Sequence, residues 1–300
     1  MKRLVIIAVV LFSMIPIGLK AQLDPVSLAL RAYQNKDLPK AKEFIEIAVG
    51  DDNFNGITKT WYFRGYIYKD LFIGAKDSKT HYEAWELRST AIESYSKAIE
   101  LEPKGELVEN CLNSLKYLSS TLYNDAAFAL DSNNFNTAQT LFDNYSKVIK
   151  VINPNMDLNQ RTIEFKLYKA SKYSYLFDNP RPEDNREEIG NNVVKLYEEV
   201  LQLDQENISA NKNLAIHYYN QGVNIIENMD IEQDFETLFA IQAQVMDLFS
   251  AALPYMLKAY ELNPLRKETL EGLSGIYFGL NNIEESEKYQ AELKKLENQE

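Results

Sequence analysis

Apolar positions in this chain recur at intervals of three and four along most of its length. Val193, Tyr197 and Val200 keep that spacing in one stretch. Ile231, Phe235, Leu238, Val245, Phe249, Ala252, Met256 and Ala259 keep it in a longer one. Such a period places an apolar stripe on one side of a helix. Side-chain size follows a second pattern. Gly65, Ala91 and Ala98 are small, while Trp61, Tyr68 and Tyr95 are large. Small residues let two antiparallel helices approach, and large ones fill the gaps beside them. Pro103 follows the second of these helices and stops it. The pattern predicts an all-α protein, and the low content of Gly (11) and Pro (9) agrees.

The amino terminus is patterned differently. Lys2 and Arg3 precede an apolar run from Leu4 to Leu19, and Gly18-Leu19-Lys20-Ala21 leads into Gln22. This is the layout of a secretory signal peptide over residues 1–21. The run is broken by Ser13, Pro16 and Gly18, so its length favours cleavage after Ala21 over retention as an anchor. The mature chain is expected to be exported to the periplasm or cell envelope. No second run long enough to span a membrane follows.

Self-similarity organises the rest. Trp61-x2-Arg64-Gly65-x2-Tyr68 is followed by Ala91-x3-Tyr95-x2-Ala98 and Pro103. Leu214-Ala215-x2-Tyr218 is followed by Ala252-x3-Met256-x2-Ala259 and Pro264. These motifs resemble the tetratricopeptide repeat (TPR), with Arg64 where Leu is usual and Tyr95 in place of Phe. Weaker copies are Leu28 to Ala48, Leu122 to Tyr145, and Leu270 to Leu293. A degenerate copy covers about Thr162 to Phe177 and Asn191 to Leu203, and the register of its first helix is left open. The resemblance implies a right-handed alpha solenoid of antiparallel helix pairs, at about 24–58, 59–104, 105–152, 160–206, 207–265 and 266–298. The charged last helix, from Glu284-Glu285 to Lys294-Lys295, suits the end of a stack.

Spacing separates ordinary pairs from enlarged ones. From late in the first helix to early in the second is nine residues in Ala32 to Ala41, Ala129 to Ala138 and Tyr277 to Ser286. Tyr68 to Ala91 and Tyr218 to Ala252 exceed this by 14 and 25 residues. The periodic stripe reads these insertions as lengthened helices. A turn is expected at Ile73 to Ser78, with Thr80 and Glu83 as a capping box, and a loop at Asp178 to Asn192. Pro254 is expected either to kink its helix or to lie near a helix start.

Charge and chemistry narrow the function. The net charge is -12, and -15 once Lys2, Arg3 and Lys20 leave with the leader. Nucleic acid and anionic lipid are poor partners for such a chain. One cysteine, Cys111, excludes an internal disulfide and reads as a core residue. Two histidines, His81 and His217, leave little for zinc or a triad, and His217 reads as a packing residue. Phosphate-binding glycine loops, metalloprotease motifs and nucleophile elbows are absent. Adjacent carboxylates such as Glu198-Glu199 diverge around a helix. No enzymatic activity, cofactor or metal is expected.

Most tyrosines fall on the packing positions. The resemblance also implies a concave groove lined by the first helices. The residues it places there are Lys59, Tyr62, Tyr66, Lys69, Tyr123, Lys212, Tyr219 and Asn220. Tyrosine and asparagine offer rigid area and adaptable hydrogen bonds to an extended peptide. The reading is a non-enzymatic scaffold of the bacterial cell envelope that binds protein or peptide, with basic segments favoured by charge. The alternative is an envelope carbohydrate-binding module on a helical-repeat core, which only two tryptophans, Trp61 and Trp85, disfavour.

Overall fold

The computed structural model describes residues 24–76, 81–230 and 232–298. The leader, Thr80 of the expected capping box and Ile231 lie outside them. Among the described residues every regular element is a helix, and there are twelve. They form consecutive pairs, giving an all-α helical-repeat fold of the alpha-solenoid class. The chain divides into two compact units, with the division between Leu118 and Ser119.

The first unit contains α1 (Pro25–Gln34), α2 (Leu38–Gly50), α3 (Thr58–Lys76), α4 (His81–Leu101) and the start of α5 (Val108–Asp131). Its packing follows the small-and-large pattern. A Cβ on Gly65 would lie 2.9 Å from the Tyr95 ring, so only glycine lets α3 and α4 come this close. Ala91, Tyr95 and Ala98 on α4 are buried with Ile67, Tyr68 and Phe72 on α3. Cys111 is buried near the start of α5, as the sequence suggested. The helix α3 continues through Lys76, so Ile73 to Lys76 of the expected turn are helical, and the rest of that turn lies outside the described residues.

The second unit holds the remainder of α5, then α6 (Phe135–Ile152), α7 (Asn159–Asp178), α8 (Arg186–Leu203) and α9 (Ile208–Glu227). It continues with α10 (Phe235–Leu262), α11 (Lys267–Gly279) and α12 (Ile283–Glu297). The loop expected at 178–192 is shorter, because Asp178 closes α7 and α8 starts at Arg186. Asn185 accepts a hydrogen bond from the Glu188 amide, and Glu187 and Glu188 favour a helix amino end. Charges that read as loop are therefore the first turn of a helix.

The three pairs with nine-residue spacing share one turn. Lys36, Asn133 and Asn281 adopt positive φ of 61°, 55° and 59°. The following amides, of Asp37, Asn134 and Asn282, donate to the carbonyls of Ala32, Ala129 and Tyr277. This is a Schellman closure of the first helix. The same three residues then cap the second helix, accepting from the amides of Lys40, Thr137 and Glu285. One short segment thus ends one helix and starts the next.

In both enlarged pairs most of the described extra residues are helical. α3 and α4 span 19 and 21 residues, and α9 and α10 span 20 and 28. Pro254 lies inside α10 and neither ends it nor starts it. The apolar stripe of α10 is buried at Val245, Phe249, Ala252, Met256 and Ala259. Further toward the amino end the cover thins: Leu238 is half-buried, Phe235 is 80% exposed, and Phe239 beside the stripe is 67% exposed. Phe249 is gripped by two glycines: a Cβ on Gly222 or Gly279 would lie 2.6 or 2.1 Å from its ring.

Candidate functional site

In the first unit, the face formed by the first helices of each pair carries a row of tyrosines. Tyr33 of α1 lies with its ring centroid 5.0 Å from that of Tyr66 on α3. Tyr66 stacks on Tyr62 at 6.2 Å, one helical turn away. The Lys69 ammonium sits 4.8 Å from the Tyr66 ring centroid. The Tyr33 hydroxyl donates to the Asp70 carboxylate, and burial together with that hydrogen bond pushes the Tyr33 pKa well up. The row is an aromatic surface with the Lys69 ammonium and the Asp70 carboxylate at its edge.

Lys59 is exposed near the start of the same helix, while Tyr62, Tyr66 and Lys69 are half-buried. Tyr62 also touches the core, with its ring centroid 6.1 Å from that of buried Tyr95. Burial raises its pKa. Tyr66 is thus the better-separated member of the pair, and Tyr62 carries some packing as well.

The second unit holds the other sequence-predicted residues. Tyr123 packs on Tyr145 at 5.2 Å, with the Arg161 guanidinium 5.5 Å from its ring centroid. Tyr219 lies 5.4 Å from Phe249, and a Cβ on Gly275 would lie 2.4 Å from its hydroxyl. That ring serves the α9, α10 and α11 core more than any open face. Lys212 is half-buried, and burial with the nearby Arg266 lowers its pKa. Asn220 is exposed.

Asn220 belongs to a cleft of about 330 Å³ between α7 and α9. Ser171, Ser174 and Asp178 line it from α7 at intervals of three and four, and Asn213 and Asn220 from α9 at an interval of seven. Tyr197 of α8 is buried at its base, its hydroxyl within hydrogen-bonding reach of Ser174 and Asn213. Tyr175 stands at the cleft with 64% of its surface exposed. Burial raises the Asp178 pKa. His217 also lines the cleft, and its buried Nε2 has no hydrogen-bond partner. Burial beside the Phe177 ring brings its pKa down to about 4, so the imidazole is neutral at pH 7.

Sequence reading found Asn220 but not the cleft around it. The three-and-four spacing of Ser171, Ser174 and Asp178 was visible, yet the open register of this first helix gave no face to assign it to. Tyr33 and Asp70 were missed for another reason. Their pairing with Tyr66 joins neighbouring pairs, which no single repeat displays. Arg64, where the repeat usually has Leu, also reaches the preceding pair: its Nε lies 2.8 Å from the Glu46 carboxylate, while Nη1 lies 3.2 Å from Ser94 Oγ within its own pair. Among the described residues no cluster of three or more His, Cys, Asp or Glu is placed to hold a metal. Nor is any described helix long and apolar enough to cross a membrane.

These features define the class: an all-α helical-repeat protein with aromatic and polar surfaces on its first helices. No protein-family model matches the chain, and no curated protein matches it. Among solved structures it is similar to PilW, described as a widely conserved type IV pilus biogenesis factor. That similarity has 15% identity and a TM-score of 0.34, covering 90% of this chain and 91% of PilW. It is also similar to the human IFIT1 dimer with m7Gppp-AAAA, at 13% identity and a TM-score of 0.36. A monomeric IFIT1 mutant with Gppp-AAAA gives 14% identity and the same score. The match covers 86% of this chain but only 46% of the IFIT1 chain. The assignment of fold class rests on the helix pairs themselves.

Proposed function

We propose that this protein is a non-enzymatic scaffold of tetratricopeptide type, exported to the bacterial cell envelope, that binds an extended protein or peptide segment. The observation that carries the reading is the tyrosine row Tyr33, Tyr66 and Tyr62 with Lys69 at its edge. Stacked, partly exposed rings give contact area that loses little conformational entropy on binding, and aromatic residues dominate binding energy at interfaces. Envelope location is supported by the basic and apolar leader. The acidic net charge favours a partner segment with Lys or Arg.

The test is affinity isolation from a cell-envelope extract, followed by measured affinities of Tyr66→Ala and Lys59→Ala for the partner recovered. Tyr66→Ala is expected to weaken binding by about 1 to 2 kcal/mol. Glycan-array binding with no stoichiometric protein partner would replace this reading with the carbohydrate-binding one. Turnover of a substrate by the purified chain would remove the non-enzymatic part.

A further inference from the structure

The α7–α9 cleft joins three features that each favour a positive charge. Asp178 is the last residue of α7, so its carboxylate adds to the partial negative charge of the free carbonyls at that helix end. A cation there would meet both. Second, the Asp178 carboxylate has no ion-pair partner among the described residues. Arg186 is near enough to favour the charged carboxylate, but its guanidinium sits over the Phe177 ring, 4.5 Å from the centroid, and makes no ion pair with Asp178. Third, the exposed ring of Tyr175, one helical turn before Asp178, offers a π face to a cation. The surrounding groups are amides and hydroxyls, namely Asn213, Asn220, Ser171 and Ser174. They accept and donate hydrogen bonds without adding charge. The volume of about 330 Å³ is at the small end for a ligand cavity and suits one side chain rather than a whole ligand.

We infer that this cleft is a subsite for a single lysine or arginine side chain of an extended segment. Asp178 takes the charge, Tyr175 flanks the aliphatic stem, and Asn213 with Asn220 holds the segment's backbone amides. The inference deepens the scaffold reading and rests on it. It also supplies what the sequence left general, a reason within one cleft for a basic partner. His217 and Tyr197 form the buried wall behind it and are not asked to move or titrate.

The experiment uses two capped pentapeptides, acetyl-Gly-Ser-Arg-Ser-Gly-amide and the same peptide with citrulline for arginine. Citrulline keeps the shape and removes the charge. Binding is followed by NMR on the side-chain amides of Asn213 and Asn220, with Tyr66 and Lys69 as reporters of the separate tyrosine row. The arginine peptide is expected to shift both asparagine amides, the citrulline peptide about tenfold more weakly. Asp178→Asn, an isosteric change, should remove that difference, and Tyr175→Ala should weaken the arginine peptide a further few-fold. An arginine response at Asn213 and Asn220 that survives Asp178→Asn overturns the inference. So does an equal response to both peptides in the native protein. If neutral or basic peptides shift only Tyr66 and Lys69, the cation subsite fails while the scaffold reading stands. If a broad peptide library shifts neither set of reporters, both fail together.

Discussion

Two glycines on the same helix should respond in opposite senses to the same substitution. Gly65 and Gly74 both lie in α3. At Gly65 an added Cβ would meet three Tyr95 ring atoms at 2.9, 3.0 and 3.0 Å, while at Gly74 nothing lies within 4 Å. Replacing helical Gly by Ala is worth about 0.8 to 1 kcal/mol of propensity, less near a helix end. Gly74→Ala should therefore stabilise the protein by about 0.5 to 1 kcal/mol. At Gly65 the same gain is opposed by overpacking against a rigid ring that is fully buried, at about 1 to 3 kcal/mol. The net expectation is a loss of about 1 kcal/mol, and a gap of about 2 kcal/mol between the two variants. Urea midpoints with unchanged slopes measure both. Because the opposing contact is Tyr95, combining Gly65→Ala with Tyr95→Ala should turn the first change from harmful to helpful. If Gly65→Ala stabilises in the native background as Gly74→Ala does, the close packing of α3 on α4 argued above is refuted.

Further expectations follow from the turns, the core and the buried histidine. Lys36 pays for a left-handed backbone that glycine adopts freely, so Lys36→Gly should raise stability by up to about 1 kcal/mol in the same urea assay. Tyr68→Ala empties a buried site and should cost about 3 kcal/mol or more, whereas Tyr66→Ala should cost clearly less; thermal melts of the two distinguish core from face. His217 has its folded pKa depressed to about 4 from an ordinary 6.5. The unfolded chain therefore binds the extra proton first as pH falls, and this contribution to stability is full above pH 6.5 and lost between there and pH 4. The integrated loss is about 3 kcal/mol, and His217→Gln should flatten that part of the stability profile measured from pH 7 to pH 4.5.

Packing within a pair was legible because size alternates on a fixed spacing, as in Gly65, Ala91 and Tyr95. The short turns were legible only as a distance of nine residues; their shared Schellman closure needed backbone angles that Lys36 does not advertise. Pro254 lies well inside α10, so of its two expected places the helix start is excluded and the helix runs on through it. A proline forfeits one hydrogen bond, and a helix of 28 residues packed along Phe249, Ala252, Met256 and Ala259 outlasts that loss. The loop expected at 178–192 is shorter in the structure, since Glu187 and Glu188 look solvated whether they lie in a loop or in a first turn. The candidate surfaces were only half visible. Tyr66 and Lys69 lie half-buried and Asn220 lies exposed, whereas Tyr219 packs against Phe249 because Gly275 leaves room for its ring. Asp178 and Tyr175 became a site only once α9 was laid beside α7.

Consensus repeats are interchangeable bricks, and Arg64 makes this chain's second brick an exception. Its side chain is only 13% exposed, and the carboxylate that neutralises it, on Glu46, belongs to the pair before. A guanidinium left there without that carboxylate would be a nearly buried, uncompensated charge, at a cost of about 3 to 5 kcal/mol. Duplicating the second pair, moving it elsewhere in the array, or inserting a consensus pair ahead of it should therefore each be penalised. The same operation on a copy with leucine at this position should pass. Repeat arrays ordinarily grow and shrink by recombination between similar units, and one ion pair across a boundary is enough to fix the order of its two neighbours.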